Sequence, residues 1–319
     1  MVQSPGVITH NYIVCHNICD VKSAISYENN SFDVRIESKL PETTKTEKCI
    51  LGIDEAGRGP VLGPMVYGTS YCSVDNQAIL KSLGCADSKV LSELARDEIF
   101  DGITKQSEIL GWAVHIISPT TISNCSFRRQ KCSLNEISHN AAIGLIQRVL
   151  DRGVNICEVF VDTVGPPDKY QEKLLSIFPQ LKITVSKKAD SLFPIVSAAS
   201  ICAKVTRDAA LKNWKFIERP GEDNDSNWGS GYPNDPVTKE YLKKNIDPVF
   251  GFPSIVRFSW STAELILKNN AAQIDWSDEE NDEDKKSLSI TSFFGQNSKQ
   301  VHQKTPFFDD RGLIVTTKF

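Results

Sequence analysis

What this chain does not contain narrows its class. No apolar run in its 319 residues approaches the roughly 20 residues that a membrane-crossing helix needs. It opens with no basic segment followed by an apolar one, so no secretory leader is expected. The nine cysteines are odd in number and scattered, which fits reduced thiols of the cytosol or nucleus rather than a disulfide framework. Cys15, His16 and Cys19 lie close together, but no second pair at matching spacing follows, so a zinc site is not expected. Internal repeats are lacking. So are a phosphate-cradling P-loop and any Ser–His–Asp or Cys–His arrangement.

The central part also lacks an excess of charge. Residues 49–270 carry 25 basic and 25 acidic side chains, against 5 and 6 in residues 1–48 and 6 and 9 in residues 271–319. Charge alone therefore does not announce a nucleic-acid binder. If metal neutralised four of the central acids, the surface left there would be net positive, which suits a polyanionic substrate.

Against these absences stands one dense stretch, residues 49–68, CILGIDEAGRGPVLGPMVYG. It starts as a buried strand, Cys49 to Ile53. Asp54 and Glu55 follow where that apolar run stops. Gly57-Arg58-Gly59 and a proline come next, a combination that regular strands and helices tolerate poorly. Two carboxylates ending an apolar strand are costly unless something neutralises them. A hard divalent cation does so with oxygen ligands. The glycines let the backbone approach a ligand closely, and Arg58 is suited to a phosphate. Such a site needs further carboxylates from elsewhere in the chain.

The order of elements supplies them. Residues 1–48 have no sustained period and read as a weakly structured extension, with some strand character over 7–14 and where Phe32, Val34 and Ile36 alternate with charges. Strands follow at 49–54, 64–72 and 111–118. Ser88 is the expected cap of a helix over 93–104. Residues 119–131 read as a polar loop carrying Arg128, Arg129 and Lys131, and 134–151 as a long helix. Then come a buried strand at 156–161 ending in Asp162, a helix over 170–177, a strand at 181–186 followed by Asp190, and an alanine-rich helix over 194–214. Short links make the first three strands antiparallel, and helical crossovers make the last two parallel. The expectation is an α/β catalytic domain at 49–215, built on a mixed five-stranded sheet flanked by helices. A smaller helical unit at 216–270 and an acidic tail at 271–319 complete the chain. The tail holds seven acids between Asp275 and Asp284, a pattern of solvated, disordered chain.

On this topology Asp54, Glu55, Asp162 and Asp190 converge at one sheet edge, where open α/β sheets build their sites. Clustered acids repel, so cations are required. Two magnesium ions would stabilise the attacking and leaving oxygens of a phosphodiester. His139, on the long helix, reads as a packed groove residue rather than a catalyst.

These residues carry a resemblance. Gly52-Ile-Asp54-Glu55-Ala-Gly57-Arg58-Gly59 resembles the signature of type 2 ribonuclease H, the ribonuclease HII of bacteria. Ala86-Asp-Ser-Lys89, Val159-Phe-Val-Asp162, Lys188-Ala-Asp190, Ser197 to Lys204 and Gly229 to Pro236 resemble the same family in the same order, over roughly residues 48–265. The wording around Gly229–Pro236 and Phe250–Trp260, with the long tail, resembles the catalytic A subunits of eukaryotic ribonuclease H2. The resemblance implies a ribonuclease H-like fold and cleavage of RNA in RNA–DNA hybrids. It also implies incision 5′ of single ribonucleotides embedded in duplex DNA. By the same resemblance Asp54, Glu55, Asp162 and Asp190 are the catalytic, metal-binding acids, for magnesium with manganese as a substitute. Gly57, Arg58 and Gly59 resemble the motif whose backbone recognises the 2′-hydroxyl, and Tyr232 the tyrosine at the ribonucleotide. A 2′-hydroxyl is what distinguishes RNA from DNA at one position. Lys89, Lys204 and Arg207 are expected phosphate contacts, which position without discriminating.

The resemblance further implies a trimer with two non-catalytic subunits, B and C, acting in the nucleus in replication and ribonucleotide removal. In the tail, Ile290, Phe293 and Phe294 are spaced like the peptide that docks on the replication sliding clamp, although Ser287 stands where a glutamine is expected. Packing on a companion subunit is the other use for those residues, and for Phe307-Phe308 and 312–315. Two rival functions fit less well. A sugar-kinase-like ATPase needs glycine-rich phosphate loops, for which Val164-Gly165-Pro166 is poor. A non-catalytic nucleic-acid scaffold has no use for four converging acids.

Overall fold

A computed structural model describes residues 12–25, 32–85, 91–130, 132–218 and 227–272, all within one compact unit. The Ala86–Lys89 motif, Ser88 and Lys89 among it, lies outside these residues. So do Lys131 and the tail with Ile290, Phe293 and Phe294.

In chain order the elements begin with β1 (Ile13–Val14), α1 (Ile18–Ile25), β2 (Val34–Glu37), β3 (Cys49–Ala56) and β4 (Met65–Ser73). Next come α2 (Gln77–Ser82), α3 (Glu93–Lys105), β5 (Leu110–Ile117), α4 (Pro119–Phe127) and α5 (Leu134–Asp151). β6 (Ile156–Asp162), α6 (Pro167–Ile177), β7 (Lys182–Ser186), α7 (Ala189–Leu192) and α8 (Pro194–Lys212) complete the α/β part, followed by α9 (Pro236–Lys244) and α10 (Ser261–Asn270).

The described strands form one mixed sheet in the order β1-β2-β5-β4-β3-β6-β7. β4 runs antiparallel to both β3 and β5, while β6 and β7 continue parallel to β3. The five expected strands are present, and two more extend the edge beyond β5. Here the expected weakly structured extension needs correction. β2 pairs antiparallel with β5, Val34 opposite Ile116 and Glu37 opposite Ala113. Ile36, Val21, Ala24 and Ile25 are buried in the core. The buried Glu37 receives Arg148 of α5 through Nε at 2.9 Å and Nη2 at 2.6 Å, with Arg152 at 3.5 Å. These partners stand more than a hundred positions away, so no local period could disclose them.

Two smaller corrections concern helix starts. The expected polar loop after β5 is helical over Pro119–Phe127, because Ser118 accepts the Thr121 N–H at 3.0 Å and proline suits the first turn. α3 is capped by Ser92, which accepts from the Ala95 N–H.

The sheet is packed on both faces. Cys49, Leu51 and Ile53 of β3 join α5 and α6 in one core, while Ile50 faces the other, around α8. α8 lies so close to the sheet centre that a Cβ at Gly52 would overlap the Ile195 carbonyl, and one at Gly68 the Ala199 carbonyl. Its run of alanines and serines has the same cause. α5 begins with a capping box, Ser133 and Glu136 each accepting the other's backbone N–H. The expected helical unit at 216–270 does form, but its core also takes in Val61 and Leu62, just after the glycine loop.

Candidate active site

Alternation along β3 sends Asp54 towards the α8 side and Glu55 towards the α5 side of the sheet. Asp162 ends β6, the parallel neighbour of β3. Its Oδ1 accepts the Ala189 N–H at 2.8 Å, which ties it to the turn before Asp190. That turn holds Lys188 at φ 57°, left-handed for a residue with a side chain. The strain sets α7 so that Asp190 is buried beside the strand ends. Two parallel strands and one forced turn thus bring Asp54 within electrostatic reach of Asp162 and Asp190, and Glu55 within reach of Asp54 and Asp162.

Two of these acids are held in a strongly perturbed state. Burial, then the charges of Asp162 and Asp190, raise the Asp54 carboxyl well above the ordinary range, against the Ser200 hydroxyl and the Glu55 N–H, which donates to its Oδ1 at 2.8 Å. Burial, then Asp54 and Asp162, do the same to Glu55. Glu55 Oε2 is buried and, among the described residues, finds no hydrogen-bond partner. Among the described residues no three His, Cys, Asp or Glu side chains close into a chelating cluster by themselves. The donor set suits a magnesium-like ion, which takes one or two carboxylates and completes its shell with water and substrate phosphate.

Beside the acids runs a groove of about 370 Å³, lined by Glu55, Gly57, Arg58, Gly59, Lys204, Arg207 and Tyr232 among others. Gly57 sits at φ 75°, and a Cβ there would strike Arg207. Gly59 lies under the Tyr232 ring, whose Cε1 would be 3.1 Å from an added Cβ. Tyr232 is half exposed, so its ring and hydroxyl are open to the groove. The same polypeptide turn ties both together, since the N–H groups of Val61 and Leu62 donate to Gly231 O.

The basic residues divide. Arg58 turns its guanidinium to Asn135 of α5, leaving Nε buried without a partner. Arg207 donates to the carbonyls of Pro64 and Leu62, so it braces the glycine loop from below as well as lining the groove. His139 stacks on Tyr170 with ring centres 3.9 Å apart, as a packed residue does.

Sequence reading missed Arg257 and Trp260. Arg257 is fully buried, donating to Gly63 O at 2.9 Å, Arg58 O at 3.0 Å and Gly57 O at 2.5 Å. Its guanidinium lies 4.9 Å from the Trp260 ring centre, and the Trp260 indole N–H donates to Gly59 O at 3.0 Å. The available signal was a lone arginine in the apolar run from Ile255 to Phe258.

Comparison with known proteins agrees with this geometry. The Ribonuclease HII family model matches residues 51–263. The A subunit of ribonuclease H2 from Bos taurus is 50 % identical over 91 % of this chain and 97 % of its own. The crystal structure of ribonuclease H2 from Pyrococcus horikoshii OT3 aligns with TM-score 0.57 and 33 % identity, over 69 % of this chain and 98 % of that one. RNase HII of Archaeoglobus fulgidus, solved as a complex with PCNA, aligns with TM-score 0.56 and 32 % identity, over 68 % and 96 %. With a family match across most of its length and relatives alike nearly end to end, the chain belongs to the ribonuclease HII family and is an endoribonuclease of the ribonuclease H type.

Proposed function

We propose that this chain hydrolyses the RNA strand of RNA–DNA hybrids and incises 5′ of single ribonucleotides embedded in duplex DNA. The observation that carries this reading is the juxtaposition of buried strand-end acids, Asp54 and Glu55 titrating above the ordinary range, with a glycine loop lying under an exposed tyrosine ring. Asp54, Glu55, Asp162 and Asp190 would hold divalent cations, magnesium or manganese in its place. Such ions, when bound, supply activated water and neutralise charge on the phosphodiester. The Gly57-Arg58-Gly59 backbone offers fixed polar groups to a 2′-hydroxyl, and Tyr232 closes over the same sugar. Lys204, and Lys89, which lies outside the described residues, contact phosphates and set the register. Arg207 contributes to the same positive wall while bracing the loop.

The chain acts as the catalytic member of a heterotrimer with two non-catalytic subunits, B and C, in the nucleus, in ribonucleotide removal and DNA replication. The bovine relative is by name one of several ribonuclease H2 subunits, which supports the assembly. The PCNA complex of the Archaeoglobus enzyme supports clamp docking through Ile290, Phe293 and Phe294.

The decisive assay incubates the chain, alone and with its partner subunits, with duplex DNA containing one ribonucleotide, with and without magnesium. Metal-dependent nicking on the 5′ side is expected. Failure of the full complex to cut either this duplex or a long hybrid would return the protein to the scaffold reading.

A further inference from the structure

The glycine loop makes an unusual set of contacts with the C-terminal helical part. All three of its consecutive carbonyls accept hydrogen bonds from one side. Gly57 O and Arg58 O bind the two terminal nitrogens of Arg257, and Gly59 O binds the Trp260 indole. Arg257 Nε extends the row to Gly63 O. In a trans peptide the carbonyl and the following N–H point in opposite directions. Fixing the Gly57 and Arg58 carbonyls towards Arg257 therefore aims the N–H groups of Arg58 and Gly59 away from it. The Gly59 carbonyl is followed by Pro60, which has no N–H. Two donors remain, side by side, and among the described residues neither donates to a protein acceptor. Both belong to residues that line the groove beneath Tyr232.

We propose that Arg257 and Trp260 are positioning residues for sugar recognition: by holding the three loop carbonyls they present the Arg58 and Gly59 amides to the 2′-oxygen of the substrate. This rests on the function proposed above, and it locates the origin of discrimination outside the groove itself. Arg257 has no carboxylate partner among the described residues, so its charge acts on the loop peptides directly and strengthens their N–H dipoles. Its fork geometry is necessary, because one ammonium cannot serve three divergent carbonyls. Trp260 completes the set twice, as donor to Gly59 O and as the aromatic face against which the guanidinium lies.

The test uses the complete chain with its partner subunits. Rates are measured on duplexes carrying one ribonucleotide or its 2′-fluoro counterpart, with binding to an all-DNA duplex and thermal melting in parallel. Trp260→Phe keeps an aromatic face and removes the indole donor together with the second ring of the side chain. It is expected to lower kcat/KM on the ribonucleotide by about three- to tenfold, the worth of one hydrogen bond. The 2′-fluoro rate, DNA affinity and melting temperature should stay at wild-type values. Arg257→Lys keeps the charge and loses the fork, and should erode discrimination further without rescue. Full discrimination in Trp260→Phe overturns the proposal even if Arg257→Lys does not fold. A wild-type enzyme that does not distinguish the two sugars overturns the proposed function as well, so the two failures are separable.

Discussion

Glu37 and Asp54 are both buried carboxylates on one sheet, 2 % and 5 % exposed. Glu37, near the β1–β2 edge, is met by two arginines of α5 and its C-cap, one of them through two nitrogens. Asp54, at the end of β3, has the Ser200 hydroxyl but, among the described residues, no cation beside it, and Asp162, Asp190 and Glu55 add like charge around it. One site is completed by the protein and is structural. The other is left with like charges and an unpartnered oxygen, a state that binding of a cation and a phosphodiester relieves. Buried carboxylates whose titration is raised by burial and by one another mark the candidate site.

Four experiments would break or sharpen this contrast. The largest effect is expected at the acid edge, where Asp54→Asn and Asp162→Asn should each lower turnover by about 100-fold or more. Their melting temperatures should not fall, because a repelling charge is lost. Steady-state nicking beside a thermal melt checks both, and near-wild-type turnover in either would refute the metal role. At the completed site the effects should invert. Glu37→Ala leaves Arg148 and the partly buried Arg152 without their carboxylate and should cost about 3 kcal/mol in urea unfolding, with the folded fraction still cutting normally.

Third, magnesium added at about 100 times its Kd should stabilise the wild type by about 2.7 kcal/mol and leave Asp54→Asn unmoved. The pH dependence belongs with it. Asp54 and Glu55 titrate higher folded than unfolded, so the folded state binds more protons. Metal-free stability should therefore fall as pH rises from the ordinary carboxylate range towards neutrality and beyond. Saturating magnesium should flatten that slope, and a metal-free profile that rises over the same range would contradict the picture. The smallest effect is at Tyr232→Phe, which removes one hydroxyl while keeping the ring. It should cost about tenfold on a single embedded ribonucleotide and less on a long hybrid. Equal losses on both would remove its role at the junction.

The sequence by itself determined the framework of the candidate site. The Asp54-Glu55 pair, the glycine loop, Asp162 after a buried strand and Asp190 after the next are all local signals, set by strand period and by residues that interrupt it. The same signals placed α3, α5, α6 and α8 and the parallel crossovers. Tertiary structure alone decided the rest. Whether residues 34–37 are loose or form a strand beside β5 depends on β5 itself and on arginines far along the chain. Whether Arg58 faces phosphate or Asn135, and whether Arg207 lies on the surface or under the loop, depends on packing that no period records. Arg257 is the sharpest case. In sequence it is a charge in an apolar run; in the fold its hydrogen bonds reach back about 200 positions to the turn beside the acids. Strand and helix patterns are written by neighbours in sequence, whereas the satisfaction of a buried charge is written by whatever the folded chain brings within about 3 Å of it.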